Sequence, residues 1–386
     1  MKLSTYAILC AAVISSVLSQ ITALGNGFRI IMYLAWALLF FVQVYQNNFK
    51  LTLSRFSKAF FLAYMIWGAI CLVASVFGTN HLSGNYLRIM AVPLVVTLIA
   101  DLGCEWNEEC IVYVCKIYII CAVLFGIWVN LNYFTSYSDW ISSQMYAYAQ
   151  KNSAAQIWIS AVLMCIFLIK KDNTVKKVFW GGCAAYLIII SAFSQCRTAL
   201  LALGVVLFSY ALACSKHRLR LFICGALALF IAFRIPTVQD FFNQTFFITK
   251  YAGTDLNTMS SGRLDNWAQA LSIFQEHPFI GIGKYYVDCS YILILAEGGI
   301  IGFVLIEFSW LFRIWTVAKS RMLPERKMFL GLLIIFYILE SALEGFPPFG
   351  PGVSSFMFWF LCGYFSNSLH GAVSTNTTNG KTGTSF

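Results

Sequence analysis

Charge is what this chain has least of: Asp, Glu, Lys and Arg make up 11% of its 386 residues, against 60% hydrophobic. So little charge cannot cover so much apolar surface in water, which excludes a single soluble core and makes the chain an integral membrane protein. Histidine is scarce too, at 4 residues, and neither His81 nor His277 has a second ligand at metal-like spacing. No CxxC pair occurs, so no metal and no cofactor is expected. The 13 cysteines would suggest a disulfide scaffold in a small secreted chain, but Cys10, Cys71, Cys121, Cys165 and Cys224 fall inside apolar runs and read as small buried hydrophobes. The first apolar stretch lacks a small-residue cleavage site and more spans follow it, so it reads as a retained helix rather than a signal peptide.

What is present is a series of apolar runs near 4–24, 28–45, 58–77, 86–102, 111–131, 153–170, 175–195, 198–214, 219–233, 290–312, 328–343 and 352–369. With roughly 20 residues needed per crossing, these predict an all-α polytopic membrane protein of about twelve transmembrane helices. Lys and Arg resist translocation and so set orientation. With the N-terminus inside, alternate loops carry Lys50, Arg55 and Lys58, then Lys170, Lys171, Lys176 and Lys177, then Lys216, Arg218 and Arg220, then Arg313, Lys319, Arg321, Arg326 and Lys327. Both termini are then cytoplasmic. One loop dissents: DLGCEWNEEC, Asp101 to Cys110, is cytoplasmic by parity yet its only charges are acids.

Those basic loops account for most of the net charge of +10, so it does not argue for nucleic acid as a partner. The partner it implies is the lipid bilayer. The organisation expected is helices 1–9 in residues 1–233, an extracytoplasmic loop at 234–289, helices 10–12 in 290–369, and a disordered cytoplasmic tail at 370–386. The loop exceeds ordinary connection length and should be functional or separately folded. Its acids Asp240, Asp255, Asp265, Glu276 and Asp288 offset its bases, so any anion site there must be built from particular arginines.

Within the loop, SSGRLDNWAQAL predicts an amphipathic helix. Leu264, Trp267, Ala268, Leu271 and Phe274 follow helical spacing on one face, Ser260 or Ser261 caps the start, and Pro278 stops the helix before the GIG turn. Arg263 sits in the first turn, where the helix dipole disfavours a cation. It is either a snorkelling anchor or half of an anion site built with helix amides.

SQCRTALLAL (194–203), SGRLDNWAQAL (261–271), HPFIGIG (277–283) and DCSYILILAEGGIIG (288–302), in that order, with KNSAAQ (151–156) as a weaker match, resemble the O-antigen polymerase and ligase superfamily. The resemblance covers roughly the second half of the chain. It implies a multi-spanning glycosyltransferase of the bacterial cytoplasmic (inner) membrane, acting at the outer face on polyprenyl (undecaprenyl) diphosphate-linked oligosaccharides. It also implies Arg197 and Arg263 as the two functional arginines, and flippase and chain-length regulator proteins as further partners. Guanidinium suits that work, because it stays charged and binds phosphate oxygens as a fork while a diphosphate leaves.

Ligases of this superfamily carry a histidine just before the span that begins here at Ser290, and this chain has Asp288-Cys289 instead. The pattern is more like the repeat-unit polymerases of O-antigen, capsule or exopolysaccharide, and it makes Asp288 a catalytic candidate beside Arg197 and Arg263. Asp288 is equally a helix N-cap. Arg88, Lys151, Trp267, Lys284 and Glu297 are the substrate-binding candidates, Glu297 because an acid within a span is expensive. Glu340 and Glu344 flank the last external turn and read as a solvated loop edge. Two further readings stay open: ligase-type transfer to a lipid or protein acceptor, and transport of a lipid-linked solute, against which stands the lack of an internal repeat.

Overall fold

In lipid every backbone N–H and C=O must find a partner inside the protein, and an apolar run solves this by closing into a helix. The computed structural model describes residues 3–21, 24, 27–50, 53–77, 84–102, 106, 108–133, 151–194, 196–245, 253, 255–260, 262–319, 322–345, 347–349 and 353–366. Among these residues the regular structure is helical: α1 (Leu3–Leu18), α2 (Gly27–Gln46), α3 (Arg55–Val76), α4 (Gly84–Leu102), α5 (Glu108–Tyr133), α6 (Lys151–Ile169), α7 (Thr174–Phe193), α8 (Arg197–Cys214), α9 (Arg218–Ala232), α10 (Pro236–Thr245), α11 (Leu256–Met259), α12 (Arg263–Glu276), α13 (Ser290–Lys319), α14 (Pro324–Leu343) and α15 (Val353–Ser366). Seven of them are long and apolar enough to cross a membrane (α2, α3, α5 to α8 and α13), and α1, α4 and α15 contain shorter apolar helices. The protein is an all-α polytopic membrane protein. The expected tail at 370–386 lies outside the described residues.

Local signals set the helix starts. Ser54 accepts the Ser57 amide at 3.2 Å to begin α3, Asn173 accepts the Lys176 amide at 3.2 Å to begin α7, and Pro324 occupies the first turn of α14. α6 is buried almost throughout, enclosed by α5, α7, α8, α14 and α15. Phe56, Trp310, Tyr337, Phe358 and Trp359 fill the neighbouring interior with ring-to-ring contacts. α9 leans on α8 and presents Leu219, Phe222, Leu227 and Phe230 outward, a surface suited to lipid.

The dissenting acidic loop is explained by its partners. Glu108 pairs with both Lys171 and Arg326, while Asp172 accepts Trp180 Nε1–H at 2.8 Å and lies 3.7 Å from Lys116. Asn47 donates to the Leu102 carbonyl at 2.8 Å, and Asp101 accepts the Ser54 amide at 3.0 Å. The ends of α2, α4 and α6 and the starts of α3, α5, α7 and α14 therefore gather at one end of the bundle, where Glu108 and Asp172 serve as counter-ions to basic residues. Orientation can be checked with an impermeant maleimide: in a cysteine-free background, Lys176→Cys and Lys284→Cys should label from opposite membrane faces. Labelling of both from one face would overturn the topology.

Arg313 departs from the sequence reading. Its expected place was a basic loop, but α13 continues to Lys319, so the side chain lies inside the bundle at 0% exposure. There its guanidinium stacks 3.4 Å from the Phe56 ring centre and donates to the Cys362 carbonyl at 3.2 Å.

The predicted span at 290–312 is likewise not one straight helix. Gly299 adopts φ 60° and ψ −167°, breaking α13 into arms at 290–298 and 300–319. Tyr291 in the first arm lies near the side chain of Trp310 in the second, although the rise between them in a straight helix would be about 28 Å. The arms thus fold back toward each other, and the second arm alone has the length of a span.

Candidate functional site

The break in α13 releases backbone groups, and the HPFIGIG loop takes them up. Ile282 and Gly283 amides donate to the carbonyls of Ala296 and Glu297 at 3.0 and 2.9 Å, while Ile300 and Ile301 amides donate to Pro278 and Phe279 carbonyls at 2.8 and 3.2 Å. Irregular backbone in a membrane protein is tolerated where protein satisfies it in this way. Glu297, at 0% exposure, accepts the Tyr285 amide at 2.9 Å. The structure therefore places this carboxylate on the loop's own backbone, tying the loop to α13. Gly302, one turn on, packs against Trp67.

That loop leads to Asp288, and α12 leads to its partner. α12 starts from Gly262 in the left-handed region (φ 78°), with no cap bond from that residue, and Asn257 Oδ1 accepts the Asp265 amide at 3.1 Å. The expected serine cap is thus replaced by asparagine; Ser260 accepts only a long bond from the Leu264 amide at 3.4 Å, and Ser261 lies outside the described residues. The buried face is also rotated from the expected one. Ala270 is fully buried and Trp267 and Ile273 are partly so, whereas Leu264, Ala268 and Leu271 are exposed. Because the helix packs through its 263–267–270 line, Arg263 turns toward the bundle instead of toward solvent.

Arg263 there meets two acids. Its Nε lies 3.4 Å from Asp288 Oδ2 and its Nη2 donates to Glu344 Oε1 at 3.1 Å. Asp288 also accepts the Tyr286 hydroxyl at 2.8 Å, and its carbonyl accepts Trp267 Nε1–H at 3.0 Å. The N-cap position of α13 falls to Cys289, whose carbonyl accepts the Leu293 amide at 2.9 Å, so Asp288 stands one residue before it. Burial pushes the Cys289 thiol up from its ordinary value, consistent with a cap rather than a nucleophile.

Glu344 is the acid the sequence reading placed at a solvated edge. It is 6% exposed and is held by Asn152 Nδ2–H at 2.8 Å and Thr198 Oγ1–H at 3.3 Å besides Arg263. One turn deeper Gln156 donates to Glu340 at 3.0 Å, and Ser160 and Tyr337 meet at 3.5 Å. The correction follows from pairing: α6 and α14 run antiparallel, and polar residues repeated every turn on one helix face those on the other. Asn152, Gln156 and Ser160 at i, i+4 and i+8 in an apolar run were the available signal. Burial raises the Glu344 carboxyl above its ordinary value, and the adjacent guanidinium pulls it partly back.

Arg197 opens α8 immediately before Thr198, which puts its backbone at this end of the bundle. Its N-cap residue, Cys196, sends its thiol to Asn152 at 3.4 Å. Lys284 is exposed and outside the cluster. Lys151 opens α6 beside Asn152, and Arg88 lies early in α4; the side chains of both are outside the described residues. The structure thus assembles Arg263, Asp288 and Trp267 with Glu344, Asn152 and Thr198, residues from α6, α8, α12, α13 and α14, at the end opposite the basic loops. Such a cluster offers a phosphate-binding cation beside carboxylates able to hold hydroxyls and accept a proton.

No curated protein matches the chain. Residues 182–307, which contain Arg197, Arg263 and Asp288 but neither Asn152 nor Glu344, match the sequence model of the family described as O-Antigen ligase, so this part of the chain is similar to the O-antigen ligase and polymerase superfamily.

Proposed function

We propose that this protein is a membrane glycosyltransferase that joins polyprenyl diphosphate-linked oligosaccharide repeat units into a surface polysaccharide at the outer face of the cytoplasmic membrane. The observation that carries the reading is Arg263, held by Asp288 and Glu344 beside the N-terminus of α8 and Arg197, at the end of the bundle away from the basic loops. In the reaction an acceptor sugar hydroxyl attacks the anomeric carbon of the donor. The bond from that carbon to the diphosphate oxygen breaks, the diphosphate leaves with the electron pair, and the hydroxyl proton passes to the Asp288 carboxylate. Arg263 and Arg197 stabilise charge as it gathers on the leaving diphosphate, and preorganised stabilisation of that kind is commonly what accelerates such a reaction most. Trp267 and Glu297 hold the geometry, Trp267 through the Asp288 carbonyl and Glu297 through the loop that leads to it. Lys284, Lys151 and Arg88 supply charge toward the carrier lipid.

The family description favours one other reading, transfer of a finished glycan to a lipid or protein acceptor. Purified protein in liposomes with lipid-linked repeat units, its products resolved by size, separates the two. A ladder of lengthening glycans is expected. A single transfer to a different acceptor would establish ligation, and movement of the labelled lipid without bond formation would establish transport.

A further inference from the structure

Resting on that reading, we propose that Glu344 is a positioning residue for Arg263, fixing the guanidinium so that one edge faces the protein and the other faces the diphosphate. The geometry gives each edge a distinct job. Nε and Nη2 share one edge of the guanidinium plane, and both are engaged, by Asp288 at 3.4 Å and Glu344 at 3.1 Å. Nη1 makes no hydrogen bond among the described residues, so the Nη1/Nη2 edge keeps the pair of parallel donors that a phosphate accepts as a fork.

Asp288 alone could not hold this orientation. It is a third exposed, sits on the loop before α13, and shares its carboxylate with Tyr286. Glu344 is the rigid member. Its side chain is 8% exposed, and Asn152 from α6 and Thr198 from α8 donate to its two oxygens, so helices from separate parts of the chain fix its position. A guanidinium on a long flexible side chain otherwise loses much of its catalytic value to motion, since a misplacement of about 1 Å can lower a rate about a hundredfold. Glu344 lies outside the stretch matched by the family, so that likeness assigns it nothing.

The charged and titratable groups on the described elements packed around Glu344 are Arg263 on α12, Asp288 and Tyr286 on the loop before α13, Cys196 and Arg197 at the start of α8, and Glu340 one turn away on α14. Protonating Glu344 would remove the anchor's charge. With its carboxyl raised by burial, wild-type transfer should fall on the acid side at a pH above the range of an ordinary glutamate, because the competent form is the ionised one.

The test is steady-state transfer of lipid-linked repeat units by the full chain in liposomes, across pH, for wild type, Glu344→Gln and Glu344→Asp. Glu344→Gln keeps the volume and most hydrogen bonds. It is expected to lower kcat on the order of a hundredfold without raising KM for the lipid donor, and to move the acid limb to lower pH, because Asp288 must still be ionised, while Glu344→Asp restores part of the rate and of the original limb. Wild-type kcat in Glu344→Gln, or a lost rate with the acid limb unmoved, would overturn the inference. Should Glu344→Gln fail to insert, Thr198→Val, which removes one hydroxyl from Glu344, must show the same kcat-selective fall at smaller size, and an unchanged kcat there overturns it equally. No transfer by wild type at any pH would instead sink the proposed function, which separates the two failures.

Discussion

Arg263→Lys is expected to lower glycan transfer about a thousandfold while leaving membrane insertion intact. Lysine keeps the positive charge, so a role as a mere membrane anchor predicts near-normal behaviour. It cannot, however, serve Asp288 and Glu344 along one edge while presenting two parallel donors along another, because an ammonium is a point charge without a planar fork. Arg263→Ala should be as inactive and less stable. Removing the guanidinium leaves Glu344, 6% exposed, without its counter-ion, a loss of about 3 kcal/mol for a pair largely removed from water. The double variant Arg263→Ala with Glu344→Gln should recover thermal stability in detergent and remain inactive. Recovery of activity along with stability would show that the arginine serves folding alone.

How far the sequence reveals this arrangement differs from element to element. Apolar run length predicted the helices because backbone satisfaction in lipid leaves few alternatives, and Arg263 stood out because a cation at a helix N-terminus has no local reason to be there. Its actual reason is Glu344, distant in the chain and on another helix, and tertiary pairing of that kind has no signature in either segment alone. The acidic 101–110 loop shows the same limit: Glu108 looks misplaced until Lys171 and Arg326 arrive from other loops. The rotated face of α12 has a related cause. Helical spacing identifies an apolar stripe, but in a membrane protein apolar residues also suit the lipid interface, so Leu264 and Leu271 could face outward while the tighter line through Ala270 packed. The Glu297-Gly298-Gly299 stretch was legible as unusual through its acid within a span, but the break at Gly299 was not, because glycine serves close helix packing as readily as a broken helix.

That break makes the second large prediction: Gly299→Ala should destabilise the protein by several kcal/mol and abolish transfer, and Gly281→Ala should act in the same direction. Gly299, at φ 60° and ψ −167°, occupies backbone space that is essentially closed to side chains, and a Cβ there would collide with the Phe279 backbone. Gly281, at φ 72°, meets the mirror problem, since its Cβ would strike the carbonyls of Ala296 and Glu297. Neither obstacle is a flexible side-chain tip that could swing aside; each is main chain held by the hydrogen bonds that join the 278–283 loop to α13. Relief requires separating that loop from the helix, which would expose the Ala296 and Glu297 carbonyls and displace the first arm. Asp288 precedes that arm and would move away from Arg263, so stability and catalysis should fail together. Gly331→Ala is the control: it lies in α14 with open space around it, and alanine there should leave the melting temperature unchanged or raised. Equal thermal stability of Gly299→Ala and Gly331→Ala would mean that α13 can run straight, and the site would then have to be rebuilt on a different path for residues 288–299.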